Sequence, residues 1–193
     1  MRKNFGKKTW LYPMPVLIVG TYCEDGRPNA MNAAWGGIYD TNLVMVCLAD
    51  EHKTTENIRR NGAFTVSFAT ADTMRACDYV GIVSANDVAD KFEKAGFTAT
   101  KSEFVNAPII DQLPMTVECR LLKFNEDGIC IGEIVNVSAE EKILGADGKI
   151  DARLLNPICY DSAAHLYWTL GDVAGRAFHD GKKICEVREN DTQ

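Results

Sequence analysis

The sequence predicts a mainly β protein with short helices, folded as a closed or partly open antiparallel barrel with helical insertions. Three observations predict it. Strand-sized apolar and β-branched runs recur from Val16 onward, separated by turn signals such as Asp25-Gly26 and Asp127-Gly128. The helical segments are short and do not alternate with strands as a doubly wound parallel sheet requires. Small residues, Ala33, Ala34, Gly36 and Gly37, interrupt one strand, where a bulge or a close approach to the backbone is expected.

Val16–Tyr22 is the first long strand, and Glu24-Asp25-Gly26-Arg27-Pro28 is its turn. Asn29–Tyr39 returns antiparallel, and Leu43–Ala49 follows as a third strand. His52–Asn61 reads as a short helix ended near Gly62, and Ala63–Phe68 as a fourth strand. Thr73–Val80 and Ala85–Ala95 are predicted helices, the second closed by Gly96 and carrying Lys91 late in its length. Pro108 and Pro114 mark a loop. Met115–Phe124 and Ile129–Ser138 form a hairpin, and Ala146-Asp147-Gly148-Lys149 is a further turn. The tail from Tyr160 holds aromatics and glycines without a legible period. Six or more antiparallel strands, with roughly that many needed for a small barrel, fit this pattern.

The 193 residues read as one domain, 1–193, with enough chain to bury a core. A formal net charge of -6 at pH 7 argues against broad nucleic-acid binding, which needs a positive field. The longest apolar runs, Val16–Gly20 and Leu43–Ala49, are strand-sized, so no membrane span is expected. Basic residues between Met1 and Lys8 are not followed by a long apolar segment, so no signal peptide is read. The seven cysteines show no C-x-x-C spacing and are expected as free thiols, mostly core, in a reducing cytoplasm.

Nucleotide-loop, zincin and serine-hydrolase motifs are missing. The three histidines, at 52, 165 and 179, are too scattered for a metal site. Redox chemistry in this chain would therefore need an organic cofactor. His52-Lys53-Thr54-Thr55-Glu56-Asn57 is the best anion site. It opens a helix, where unpaired amides meet the positive end of the dipole, beside two hydroxyls and cationic side chains. The plainer alternative is a threonine N-cap with a solvated loop. The run Asn29-Ala30-Met31-Asn32-Ala33-Ala34-Trp35 could let a flat ring approach the backbone, or could be a bulged strand with Trp35 in the core. Ser84 precedes the predicted second insertion helix and Lys91 lies late within it, where a solvated lysine is the default. Tyr160, His165 and Tyr167 could face a ring or a partner subunit, or simply pack the core.

Taken in order, a set of residues resembles the flavin reductase-like family, in particular its flavoredoxin-type members. The set is Pro13-Met14-Pro15-Val16, Asp25-Gly26-Arg27-Pro28-Asn29-Ala30-Met31, Ala34-Trp35, His52-Lys53-Thr54-Thr55 with Ile58, and Asp90-Lys91-Phe92. It continues through Pro108, Glu118-Cys119, Gly132-Glu133-Ile134 and Leu170-Gly171. The resemblance runs from residue 13 to residue 181, and the Cys119 match is structural.

The resemblance implies an FMN-binding split β-barrel, six-stranded and antiparallel. It implies a homodimer with noncovalent FMN near the subunit interface. Asn29, Met31 and Trp35 would lie along the flavin and ribityl chain, with Ala30, Asn32 and Ala33 in the same segment. Thr54 or Thr55, with Lys53 or His52, would meet the phosphate, and Lys91 and Ser84 would approach from the insertion. No side chain is assigned as catalytic and no metal is expected. The implied activity is electron or hydride transfer through FMN, with NADH or NADPH as candidate donor. Three alternatives stay open: an FMN electron carrier fed by a redox partner protein, a related barrel holding haem (with His165 or His179 as an axial ligand) or another flat ligand, and a barrel without a cofactor.

Overall fold

Twelve strands and four short α-helices follow one another in the computed structural model, which describes residues 1–182 and 184. The first half contains β1 (Met14–Pro15), β2 (Leu17–Tyr22), β3 (Pro28–Ala33), β4 (Gly36–Asp40), β5 (Leu43–Cys47), α1 (Lys53–Asn61), β6 (Ala63–Phe68) and α2 (Met74–Ile82). The second contains α3 (Lys91–Lys94), β7 (Ala99–Lys101), β8 (Pro108–Ile110), β9 (Met115–Phe124), β10 (Ile129–Ala139), α4 (Ala152–Leu155), β11 (Ile158–Asp161) and β12 (Leu166–Thr169). No helix among the described residues is long and apolar enough to cross a membrane.

Seven strands form one sheet in the order β3-β2-β6-β9-β10-β5-β4, with every pair antiparallel. Its two end strands, β3 and β4, are neighbours in the chain, separated only by Ala34 and Trp35. They are the two halves of the strand expected over Asn29–Tyr39, so the sheet curls into a six-stranded barrel split at this break. Leu17 of β2 shows the curl directly: a Cβ built on Gly36 of β4 would lie 2.8 Å from its Cδ1 and 2.8 Å from the Met45 carbonyl oxygen. The small residues expected to admit something near the backbone admit Leu17 at this point.

Alternation along β2 feeds two cores. Leu17 and Val19 join Val44, Val46, Phe64, Val66 and Cys119 on the inner face of the curl, with Ile58 of α1 packed among them. Ile18 points the other way, to Ala30, Cys77 and Val80, and to Phe92, Ile110 and Ile158. This outer core fixes α2 and α3 against the back of β2 and β3.

Two expectations need correction. Residues 85–95 do not form one helix; only Lys91–Lys94 is helical. The Ser84 carbonyl instead accepts the amides of Asp87 and Val88, and the Ser84 hydroxyl accepts the Asn86 amide at 3.1 Å. Short polar side chains offer the backbone local turns in place of a helix, so Lys91 opens a short helix rather than closing a long one. Pro108, expected in a loop, begins β8, the first-residue position that a missing N–H tolerates. The tail without a legible period is a hairpin: β12 pairs with β11, and β11 with β1.

Candidate functional site

β3 is hydrogen-bonded to β2 on one side only, and its other edge is left to α2 and the start of α1. A cavity of about 230 Å³ opens there, lined by Asn29, Met31 and Asn32 of β3, by His52, Lys53 and Thr54, and by Lys91, Ser84 and the end of α2. The expected anion site and the expected β3 segment therefore meet in one place.

His52 is extended, with φ -71° and ψ 132°, and caps α1 through its backbone; its side chain makes no capping bond. The amides of Thr55 and Glu56 return to the His52 carbonyl at 2.9 and 3.3 Å. The amides of Lys53 and Thr54 have no carbonyl one turn behind them, which leaves donors at the helix start. The two threonines diverge. Thr55 is buried and donates its hydroxyl to the Ala49 carbonyl at 2.7 Å, a bond that holds the loop before the helix. Thr54 lines the cavity and accepts the Asn29 side-chain amide at 2.9 Å.

Asn29 is 1% exposed, and its Nδ2 also reaches the Thr21 hydroxyl at 3.3 Å. The same hydroxyl accepts from Asn57 Nδ2 at 3.1 Å, and Asn57 Oδ1 accepts from Arg60 at 3.0 Å. This polar chain ties α1 to β2 and β3. Asn29 Oδ1 is the buried side-chain polar atom without a partner among the described residues. Leaving such an acceptor unmade costs about 1–3 kcal/mol. A ligand hydroxyl in the cavity would satisfy it, and the open amides above it suit a phosphate.

Lys91 is 3% exposed, and its ammonium donates to the carbonyls of Val80 at 3.0 Å and Val83 at 2.7 Å. It clamps the end of α2, where carbonyls lack helical partners. Burial pushes its amine down from the ordinary lysine value to about 8. Lys53 pairs with Glu56 at 2.8 Å, and this pairing holds the Glu56 carboxyl below the usual range.

Other expected residues lie elsewhere. The side chains of Ala30 and Ala33 belong to the outer and inner cores. Trp35 is 57% exposed, does not line the cavity beside Asn29 and Thr54, and borders an apolar cavity of about 560 Å³ with Trp10, Met14 and Met45. His179 pairs with Asp180. No cluster of potential metal ligands occurs among the described residues.

Tyr160, His165 and Tyr167 do come together, around a cavity of about 480 Å³. This cavity shares Asn32, Gly81 and Ile82 with the smaller one. Tyr160 and Tyr167 face each other across β11 and β12, their ring centroids 5.9 Å apart. Tyr167 donates to Asp78 of α2 at 2.7 Å; burial and this carboxylate together push its phenol up. Tyr160 and His165 Nδ1 are hydrogen-bonded at 2.8 Å. His165 has φ +57°, a left-handed turn conformation.

Sequence reasoning missed Asp78, Gly81 and Ile82. The one available signal was a glycine directly after the helix expected over Thr73–Val80, which the structure extends to Ile82. Its reason is a close approach: a Cβ on Gly81 would lie 2.9 Å from Asn32 Cβ.

The family model described as "Flavin reductase like domain" matches residues 9–163. The fold is similar to flavoredoxin of Desulfovibrio vulgaris (Miyazaki F), with 36% identity and a TM-score of 0.91, over 94% of this chain and 100% of that one. It is similar to flavoredoxin from Methanosarcina acetivorans, with 29% identity and a TM-score of 0.87, over 95% and 99% of the two chains. Nitrilotriacetate monooxygenase component B from Bacillus cereus shares the fold at 24% identity and a TM-score of 0.74, over 86% and 89%.

Proposed function

Because the chain belongs to the flavin reductase-like family, we propose that it holds FMN noncovalently beside β3 and works as an oxidoreductase of flavin reductase or flavoredoxin type. The observation that carries this reading is the unpartnered Asn29 Oδ1, next to the Thr54 hydroxyl and the open start of α1. FMN has a phosphate for the helix start and ribityl hydroxyls for Asn29.

In this reading the amides of Lys53 and Thr54, the Thr54 hydroxyl and the Lys53 ammonium bind the phosphate. Asn29 Oδ1 accepts a ribityl hydroxyl, and Met31 gives the chain an apolar wall. Lys91 holds the end of α2 in place and adds positive charge behind the cavity. FMN, when bound, supplies the hydride or electron chemistry, and the protein supplies orientation and electrostatics.

NADH or NADPH is the electron donor in the enzyme reading. The likeness to two flavoredoxins favours a second reading, an FMN electron carrier reduced by a partner protein. The working form is a homodimer with FMN near the interface. Exposed Trp35, Ile38 and Tyr39, on or beside the edge strand β4, support a covered face there. Free thiols fit a cytoplasmic setting.

The test is an absorbance spectrum of the purified protein, followed by anaerobic addition of NADH and NADPH. A flavin spectrum that bleaches rapidly supports the enzyme. Bleaching by dithionite alone favours the carrier. No flavin, even after FMN is offered, defeats the reading. FMN retained by a diluted monomer defeats the shared-interface part.

A further inference from the structure

Asn57 lies in the middle of α1, where asparagine is a poor helix former, and its side chain is fully buried. It lines neither of the two cavities beside α2. A buried amide in such a place is tolerated only when it is bonded. Its Oδ1 accepts from Arg60 Nη2 at 3.0 Å, and the same nitrogen donates to the Tyr22 carbonyl at 2.8 Å. Its Nδ2 donates to the Thr21 hydroxyl at 3.1 Å and to the Cys23 sulfur at 3.6 Å.

These bonds have a direction. A guanidinium can only donate, so the atom of Asn57 that meets Arg60 is its oxygen. The Asn57 nitrogen is thereby turned to β2, where it fills one lone pair of the Thr21 oxygen. The other lone pair takes Asn29 Nδ2 at 3.3 Å. Asn29 presents the same nitrogen to Thr54, whose oxygen accepts it at 2.9 Å. Thr54 is an acceptor in this bond, so its own proton stays available to the cavity that it lines. The opposite orientation of Asn29 would give Oδ1, which has no partner among the described residues, the protons of Thr21 and Thr54. It would also take the Thr54 proton away from the cavity.

We infer that Asn57 is a positioning residue for the cofactor cavity. Through Thr21 it holds the Asn29 amide with its nitrogen toward Thr54, and so keeps Thr54 a donor to an anion at the start of α1. This rests on the FMN reading only in making that anion the cofactor's phosphate.

The test compares FMN with riboflavin, which lacks the phosphate, by fluorescence titration. Asn57→Leu keeps the bulk and loses the amide. It binds FMN about tenfold more weakly, the factor of one charged hydrogen bond, and binds riboflavin as wild type does. Thr21→Val cuts the chain one step later and shows the same selective loss, which covers an Asn57→Leu protein that fails to fold. Asn57→Asp still accepts from Arg60, lets Thr21 donate to it, and leaves the Thr21 oxygen to Asn29. It keeps FMN affinity within about twofold of wild type. In Thr54→Ala the Asn57→Leu change has no further effect, because the two act through one hydroxyl. The NMR signals of the Asn29 side-chain amide, read without flavin, move in Asn57→Leu and stay near their wild-type positions in Asn57→Asp.

Equal losses for FMN and riboflavin overturn the inference, since they mark a merely structural role. So do additive losses in the Asn57→Leu/Thr54→Ala protein, or Asn29 signals unmoved by Asn57→Leu. A wild type that takes up neither flavin defeats the FMN reading instead, and the Asn29 signals then decide the inference alone.

Discussion

The Asn29 side-chain amide donates to the Thr54 hydroxyl at 2.9 Å, joining the free edge of the barrel to the first turn of α1. The two residues are 25 positions apart in sequence and meet only because β3 lies at the edge of the sheet. One bond thus sets the spacing between the strand and the helix start, and it leaves the acceptor side of the amide buried without a partner among the described residues.

The adjacent threonines should separate under mutation. Thr54→Ala removes a cavity hydroxyl and should weaken FMN binding by about 1–2 kcal/mol, with a smaller effect on folding. Thr55→Ala removes the bond to the Ala49 carbonyl and should lower stability by about 1 kcal/mol, with the smaller effect on FMN. Fluorescence titration and urea melts read the two quantities. The reverse pattern would move the phosphate to Thr55.

Lys91 makes stability depend on pH in the alkaline range. Its folded value is lowered from 10.5 to about 8. Below pH 8 both states hold the proton and the burial penalty is fully present. Between pH 8 and 10.5 the unfolded chain holds more protons, so stability rises with pH. The full rise is about 3 kcal/mol. Lys91→Met should flatten this part of the curve in urea melts taken across the window. An unchanged slope would assign it to other groups.

Gly81→Ala sets two effects against each other. Alanine gains about 1 kcal/mol of helix propensity over glycine. The new Cβ would stand 2.9 Å from Asn32 Cβ, which cannot swing aside. α2 must then move away from β3 at the point where the two cavities meet. Stability should change little, while FMN affinity falls about tenfold, a difference of ~1.4 kcal/mol. Unchanged affinity would show that α2 yields without disturbing either cavity.

Thiol reactivity should follow burial. Burial pushes the Cys77 thiol up to about 11, and those of Cys119 and Cys130 up to about 12. Cys23 and Cys47 are part-exposed. A disulfide reagent at neutral pH should modify these two faster than the buried three by a factor on the order of 100, since the thiolate is the nucleophile. Peptide mapping of partly labelled protein gives the order. Early labelling of Cys119 would reveal opening of the barrel interior. Cys185 lies outside the described residues.

The barrel was legible where strands carry their own period. Leu17–Tyr22, Ala63–Phe68 and the Met115–Phe124/Ile129–Ala139 hairpin each combine an apolar or β-branched run with a flanking turn. Ala85–Asp90 does not continue the expected helix because apolar spacing there imitates one while Ser84 and its neighbours favour turns. The short strands β11 and β12 carry too few residues for a period, and β1, their partner sheet edge, lies far away in sequence. In the site, Thr54 and Lys53 announced themselves because a helix start is a local feature. Asp78 and Ile82 did not, since nothing along α2 distinguishes a residue facing Tyr167 from one facing water.

The break between β3 and β4 has two residues with opposite outlooks. Ala34 borders the larger cavity, and Trp35 stands out from the surface beside it. They share a peptide bond, so a displacement of one is a displacement of the other. Anything that docks on Trp35 and shifts this junction therefore alters the affinity of the cavity behind it, and by thermodynamic reciprocity a ligand in the cavity alters docking by the same factor. The slit in the barrel acts in this sense as a hinge pin common to an inner and an outer door.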